Sequence, residues 1–440
     1  MTNANDFVPE HPFLKQYLSY VEDTESPRLF HIWSILSGIS ACLGRRCYFP
    51  FGHTKIYPNM YVLLVGPPGV RKSTAISIAT NLVKKNSSVR IAPDDTGAQR
   101  QGLIRAMTAE EDMIDDDKLT ELDMLSRGVG NASTVDAMLN TEIKPAMHPE
   151  DLTTMYAVAS EFNTFIGHNA LELITFLAKM WDGEDYSYQL KESQLSVRNG
   201  LMSIIGGTTP TSIATAFPPE AVGQGFMSRI ILVHATKKYK NIARPKPFDE
   251  NATDAISRRI KKIAYDMVGP FQEDEKAAEY LDKLYGTRVE IDDPRFLHYM
   301  ERRHTHLIKT AMALCAGRGS QYIMPLDVVE AHRLLSHTEV FMSDALGEYG
   351  MSPLAVAKQR MVDFLRTTGV VQRNVLQKIL YKDLRAADFA SALAELKDAG
   401  VIDESYSDKA GTLIIYKDKE KEYKAKTNRD YENWLDSFVL

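Results

Sequence analysis

The chain has 440 residues and a formal net charge of −6, with 44% hydrophobic and 25% charged residues. That length exceeds one compact core and predicts roughly two to four domains, while the acidic balance excludes a surface that is basic all over. Three cysteines (Cys42, Cys47, Cys315) without zinc spacing suggest a reducing compartment; with no signal-peptide pattern in MTNANDFVPEHPF and no apolar run near the roughly 18 residues of a span, a cytoplasmic protein with no membrane partner is expected.

Along the chain, residues 11–43 carry apolar residues at helical spacing, with Ser26–Pro27 as cap and first-turn proline. CYFPF and IYPNMYVLLV are β-prone, and the second runs into a glycine-rich loop. SVRIAP (88–93) predicts a strand, followed by a helix that Thr96 and Gln99 open as a capping box. The acidic stretch within 109–150 predicts an insertion with a solvated helix. MYAVAS, LMSIIGG and RIILVHA predict central strands, with ALELITFLAKMWDG helical among them. This interleaving predicts an α/β fold with a parallel sheet covered on both faces.

KKYKNIARPKP (237–247) predicts a hinge, residues 250–347 read as helical throughout, and Pro325 and Asp327 announce the last helix there. A second hinge is expected at GEYGMSP. Residues 355–418 then give three helices and a hairpin, a winged-helix pattern. The expected divisions are an N-terminal helical region (1–58), a core (59–245), a helical lid (246–350), the winged helix (351–418) and a charged tail (419–440).

The chemistry concentrates after the strand Tyr61–Val65. Gly66-Pro67-Pro68-Gly69-Val70-Arg71-Lys72-Ser73 follows the phosphate-loop pattern, and Thr74 onward continues as a helix with Ile76, Ala79 and Val83 on one face. Backbone N–H groups of such a loop meet the phosphates of ATP, Lys72 neutralises the β/γ oxygens, and the Ser73 hydroxyl holds Mg²⁺. Arg71 stands where a second glycine is expected, so its side chain must point away from the phosphates.

Hydrolysis needs a carboxylate to orient water at the end of a strand beside the loop strand. Glu161 is the candidate, with Ser160 before it able to contact only a metal-bound water; the rival pair Asp94–Asp95 reads better as a helix cap. Thr208, with Thr209 beside it, offers a polar strand end able to sense the γ-phosphate, although Thr-Thr-Pro is also ordinary turn chemistry. Arg229, at the start of its strand, fits either an arginine finger reaching a neighbouring subunit or a solvated strand edge. Arg302 and Arg303 fit a lid contact to nucleotide or a helix surface.

Together, LVGPPGVRKSTA, ASEFNTFI, MWDGEDYSY, IIGGTTPTSI and GFMSRIILV give a sequence that resembles the AAA+ class of ring ATPases over roughly residues 10–345. Within that class it is similar to the MCM-like helicases and to the P-loop ATPase domain of phage and prophage primase–helicase proteins. The resemblance implies a homo-oligomer, a hexamer, that hydrolyses ATP between subunits and moves on DNA, in the host cytoplasm if phage encoded. Arg71 and Ser160 depart from the family pattern and bear on the rate of hydrolysis.

In such rings a hairpin before the polar strand projects into the pore. Residues 186–190 and 193–199 can pair as that hairpin, with Lys191 on a phosphate of single-stranded DNA and Tyr186 and Tyr188 adding aromatic contacts. The winged helix is a weak base reader, because Asp388, Glu395 and Asp398 on its third helix repel phosphate. It fits protein docking or ring gating at least as well as base readout, and the tail, disordered by default, carries Tyr431, Glu432, Trp434, Asp436 and Phe438 that could dock a replication partner. The alternatives are a nucleotide-gated helicase loader or initiator that binds ATP without processive unwinding, and a defence or regulatory ATPase.

Overall fold

A helix that is buried all round organises the first part of the chain. Arg28–Leu43 buries fifteen consecutive residues, Leu29 to Leu43, and Trp33 in its middle donates its indole N–H to Thr338 Oγ1 at 2.9 Å. A helix buried on every side belongs inside a protein, and elements far apart in sequence, helices Lys72–Asn86 and Leu297–Arg318 among them, gather on this one. The structure is a computed structural model, described here for residues 3–92, 100–108, 148–167, 170–189, 194–217, 225–287, 291–347, 349, 353–380, 386–407 and 411–417. Asp94, Asp95, Thr96, Gln99, most of the acidic insertion, Lys191 and the tail lie outside the described residues.

The chain folds as two units, Met1–Tyr349 and Gly350–Leu440. In the first, helix Pro12–Tyr20 precedes the buried helix. Strands β1 (Cys47–Phe51) and β2 (Thr54–Ile56) form an antiparallel pair, and β3 (Tyr61–Val65) then leads into helix Lys72–Asn86. Next come helix Arg100–Thr108, β4 (Thr154–Ala159), short helix Phe162–Ile166 and helix Ala170–Asp182. The hairpin strands β5 (Tyr186–Gln189) and β6 (Gln194–Val197) precede β7 (Leu201–Thr208), and β8 (Ile230–His234) ends the sheet.

The central sheet is parallel, in the order β4-β7-β3-β8, and Ile91 adds an isolated parallel bridge to Tyr156 beyond β4. β3, β7 and β8 are buried at every position, as a parallel sheet covered on both faces requires. SVRIAP contributes that single bridge and not a full strand. The strand ending at Glu161 is not beside β3: β7 lies between them.

The following region is helical, with three short strands the helical periodicity concealed. Between helices Glu250–Asp266, Glu275–Gly286, Leu297–Arg318, Pro325–Glu339 and Met342–Leu346 run β9 (Gly269–Pro270), β10 (Gln272–Glu273) and β11 (Tyr322–Ile323). β9 pairs with β1, fastening this region to the N-terminal part, and β10 pairs with β11 within the region. Asp327 accepts from the Met324 N–H at 2.8 Å, closing the start of its helix as the sequence suggests.

The second unit has helix Pro353–Thr368, β12 (Val370–Gln372), helices Arg373–Leu380 and Ala386–Asp398, and strands β13 (Ile402–Ser407) and β14 (Gly411–Tyr416). β14 pairs antiparallel with both β12 and β13, so a third strand, too short to announce itself in the sequence, joins the hairpin. Its own core gathers Met361, Leu365, Leu376, Phe389, Leu393 and Ile414. Among the described residues no helix is long and apolar enough to cross a membrane.

Burial holds His31, His306 and His332 neutral, each imidazole pushed down to about 3 from 6.5. In the unfolded chain these groups take up protons near 6.5, so the unfolded state binds more protons at any lower pH. Stability carried by these histidines is therefore complete above pH 6.5 and lost as pH falls toward about 3. Urea midpoints should drop steadily from about pH 7 to about pH 4, and replacing His306 with Gln should flatten that slope.

Candidate nucleotide site

Parallel pairing sets Val65 opposite Thr208 and Ala159 opposite Gly206. Continuing the second register brings Glu161 level with Thr208, so Gly66, Thr208 and Glu161 leave the sheet at one edge. The loop itself is tied to its neighbours: the Gly66 N–H donates to the Thr208 carbonyl at 3.2 Å, and the Ala235 N–H to the Val65 carbonyl at 3.0 Å. Pro67, Pro68 and Gly69 are exposed, Val70 is buried as an anchor, and the helix starts at Lys72. Its first N–H groups, with Ser73 exposed and Thr74 half-buried, face the loop's concavity.

Arg71 adopts the left-handed conformation, φ 68° and ψ 35°. The backbone therefore takes the bend a glycine would allow, at a cost of about 1–2 kcal/mol for a residue with a Cβ. What holds it is the N-terminal arm. Ser26 Oγ donates to the Arg71 carbonyl at 2.8 Å, and Arg71 Nε donates to Glu25 Oε2 at 2.7 Å. Glu25 also accepts from the Ile242 N–H and from Lys238 Nζ, both at 3.1 Å, and these bonds, the Ile242 N–H foremost, keep its carboxyl well below the usual range. The Arg71 side chain thus points away from the loop, as phosphate access requires. Ser26 is no helix cap: the helix follows Pro27, and the hydroxyl serves the loop.

Lys72 folds over the loop, donating to the Gly66 carbonyl at 2.7 Å and the Pro67 carbonyl at 3.1 Å. Burial lowers its ammonium below the ordinary lysine range, and the negative charge of Glu161 opposes that shift, so the two groups share one field. Both Ser160 and Glu161 are exposed at the strand end. A Cβ on Gly207 would come within 2.7 Å of the Ser160 carbonyl, so a residue without a side chain lets β7 pass the turn that carries Glu161. Asn163, which the sequence did not single out, links the parts: Thr208 Oγ1 lies 3.5 Å from its Oδ1, and its Nδ2 donates to the Ser212 carbonyl at 3.0 Å. Only the tertiary approach of two strand ends reveals it.

The arginines occupy the other edge of the sheet. Arg229 ends a 3₁₀ turn, Met227–Arg229, before β8. Five strand residues at about 3.3 Å each set it roughly 17 Å from the end of β8 that borders the loop. It pairs with Asp182 and donates to the Gly225 carbonyl at 2.7 Å. Arg302 lies 3.6 Å from the same Asp182. Arg303 is buried against Glu339, Nε donating at 2.8 Å, and also meets Ser336. That buried pair accounts for Arg303 structurally, and neither helix arginine meets its own chain's loop. Tyr188 lies on β5, its hydroxyl 3.4 Å from Gln101 Nε2.

The residues present suit a nucleotide with Mg²⁺: a left-handed loop held from outside, a lysine already over it, and the exposed hydroxyl of Ser73. Ser73 would hold such a magnesium together with the phosphates and water, where it would neutralise phosphate charge. The two loop-side glycines should respond differently to substitution. Gly207→Val must displace the Ser160 backbone and should cost about 2–3 kcal/mol in urea unfolding together with loss of nucleotide binding. Gly69→Ala, at φ 83° in open space, should cost about 1 kcal/mol and retain binding. Compared with known proteins, the chain matches no family model and no curated sequence.

Proposed function

We propose that the chain is an ATP-hydrolysing DNA motor of AAA+ type, working as a homo-oligomeric ring on single-stranded DNA. One observation carries this reading: the phosphate loop and Arg229 stand at opposite edges of one parallel sheet. A single copy cannot bring both to one nucleotide, whereas head-to-tail association joins the loop of one copy to Arg229 of the next.

In this reading Lys72 and the loop N–H groups hold the β- and γ-phosphates, and Ser73 would hold Mg²⁺, which supplies charge neutralisation when bound. Glu161 orients the attacking water, and Thr208, fixed by Asn163, senses the terminal phosphate. The antiparallel hairpin β5–β6, immediately ahead of β7, is the element for DNA, with Tyr188 on it and Lys191 in its connection. Helices 353–398 and the three-stranded sheet of the second unit suit a winged helix. Its third helix turns Glu395 to Lys358, an internal ion pair, which favours docking a replication partner over reading bases.

Ser160, where an acid would bind metal more directly, favours the second reading of a nucleotide-gated loader with slow turnover. Unwinding of a forked duplex separates the two: a motor opens the fork, a loader binds ATP and leaves it closed.

Mixing decides whether sites are shared. Lys72→Ala and Arg229→Ala should each abolish DNA-stimulated ATP hydrolysis, and equal amounts mixed should recover roughly a quarter of the wild-type rate, the share of interfaces with both groups intact. No recovery from assembled mixtures, or a wild-type protein without ATPase activity, sinks the proposal.

A further inference from the structure

Among the described residues, two arginines share one carboxylate at the edge that carries Arg229. The guanidinium carbons of Arg229 and Arg302 lie 5.7 and 5.5 Å from the Trp181 ring centroid, and Lys309 Nζ, whose burial favours the neutral amine, lies 3.8 Å from it. Asp182 is the acid paired with both arginines. Lys309 is fully buried and donates to the Asn59 carbonyl and side-chain oxygen at 3.0 and 2.7 Å. Arg229 Nε and Trp181 Nε1 are buried with no hydrogen-bond partner. The site is therefore built for more negative charge than Asp182 supplies.

The Arg229 side chain is only 10% exposed while it is paired. It cannot meet a phosphoryl group on another molecule without leaving Asp182. Asp182 is the last residue of its helix and stands four positions before Tyr186, the first residue of the hairpin strand β5. The hairpin base is clasped at both ends. Arg45 donates to the Gly183 carbonyl at 2.9 Å and reaches the Gly200 carbonyl at 3.5 Å, and the Asn199 N–H donates to Asp185 at 2.7 Å. Tyr186 packs edge-on against Phe176 of the same helix, ring centroids 5.0 Å apart. These contacts join the hairpin base to the helix end that bears Asp182.

We infer that Asp182 is a positioning residue, a latch that holds Arg229 inside its own chain until DNA on the hairpin draws the carboxylate away. Released, Arg229 and Arg302 together receive the terminal phosphoryl group of a nucleotide bound by the adjoining copy. Asp182 and that phosphoryl group compete for one guanidinium, so DNA on the hairpin sets when hydrolysis is possible. The inference rests on the proposed ring ATPase and adds its DNA-controlled step.

The test compares Asp182→Asn, Asp182→Glu and wild type in the full chain, measuring ATP hydrolysis with and without single-stranded DNA. Thermal melting checks folding, and backbone deuterium exchange reads the 225–230 segment. Asp182→Asn should raise the DNA-free rate about five- to tenfold and shrink stimulation by the same factor, the order expected when one charge-assisted competitor is removed. Asp182→Glu, which keeps the carboxylate, should restore coupling. DNA should raise exchange at 225–230 in the wild type, and Asp182→Asn should show that level without DNA.

If Asp182→Asn lowers both rates together and leaves their ratio intact, Asp182 is structural and the latch is overturned. Should that variant fail to fold, unchanged exchange of wild-type 225–230 on adding DNA overturns it equally. Wild-type protein that hydrolyses no ATP removes the ring reading and the latch with it, an outcome distinct from an active enzyme whose ratio Asp182→Asn leaves unaltered.

Discussion

The parallel register of β3, β7 and β4 is the constraint on which the rest depends. Because every strand points the same way, the residues that follow strands collect at one edge and the residues that precede them collect at the other. Gly66, Glu161 and Thr208 share the first edge; Asn59 and Arg229 share the second, with Trp181 and Asp182 packed beside them. Asn59 makes the second edge concrete, its side-chain N–H groups reaching the Trp181 and Met202 carbonyls at 3.0 and 2.9 Å. A slip of one residue would turn each buried strand inside out, and with both faces covered no such slip is tolerated.

The loop 66–71 depends on a support from far away in sequence. Glu25 and Ser26 lie 46 and 45 residues before Arg71, yet they hold its side chain and its carbonyl. The arginine pair is half-exposed, and pairs of that kind contribute about 1 kcal/mol or less. Its importance is directional: a guanidinium kept outside leaves the concave side to backbone N–H groups and Lys72. The same arm carries the strand β8 exit, since Lys238 meets Glu25 and the Tyr239 N–H donates to the Glu25 carbonyl at 3.0 Å. Arm, loop and exit are therefore tied together through Glu25 and Ser26.

Two neighbouring arginines show how burial separates roles that adjacent positions share. Arg303 faces the helix Pro325–Glu339, where Glu339, Ser336 and His332 surround it. Removing one partner there would strand a buried charge, a large structural cost. Arg302, one residue earlier and about 100° round the helix, keeps a third of its side chain open beside Asp182. Burial and a like charge from Arg229 pull its guanidinium below the ordinary range, in that order, against the attraction of Asp182. Arg302 is held in a field that a further anion would relieve; Arg303 is already neutralised.

The sequence alone determined the pieces whose signal is local. Periodicity and apolar runs marked β3, β4, β7, β8 and the hairpin, because strand burial acts within a few residues. The loop spacing also led to the expectation that the Arg71 side chain turns out of the loop, and it meets Glu25 there. Tertiary structure alone decided what meets across distance. It inserted β7 between the loop strand and the strand of Glu161, gave Asn163 its bridging place, and turned Ser26 from a helix cap into a loop support. It also separated Arg302 from Arg303, on partners that helix periodicity does not name. The short strands β9 to β12 were likewise invisible, since two or three residues carry no period and gain their hydrogen bonds only from partners that the fold brings alongside.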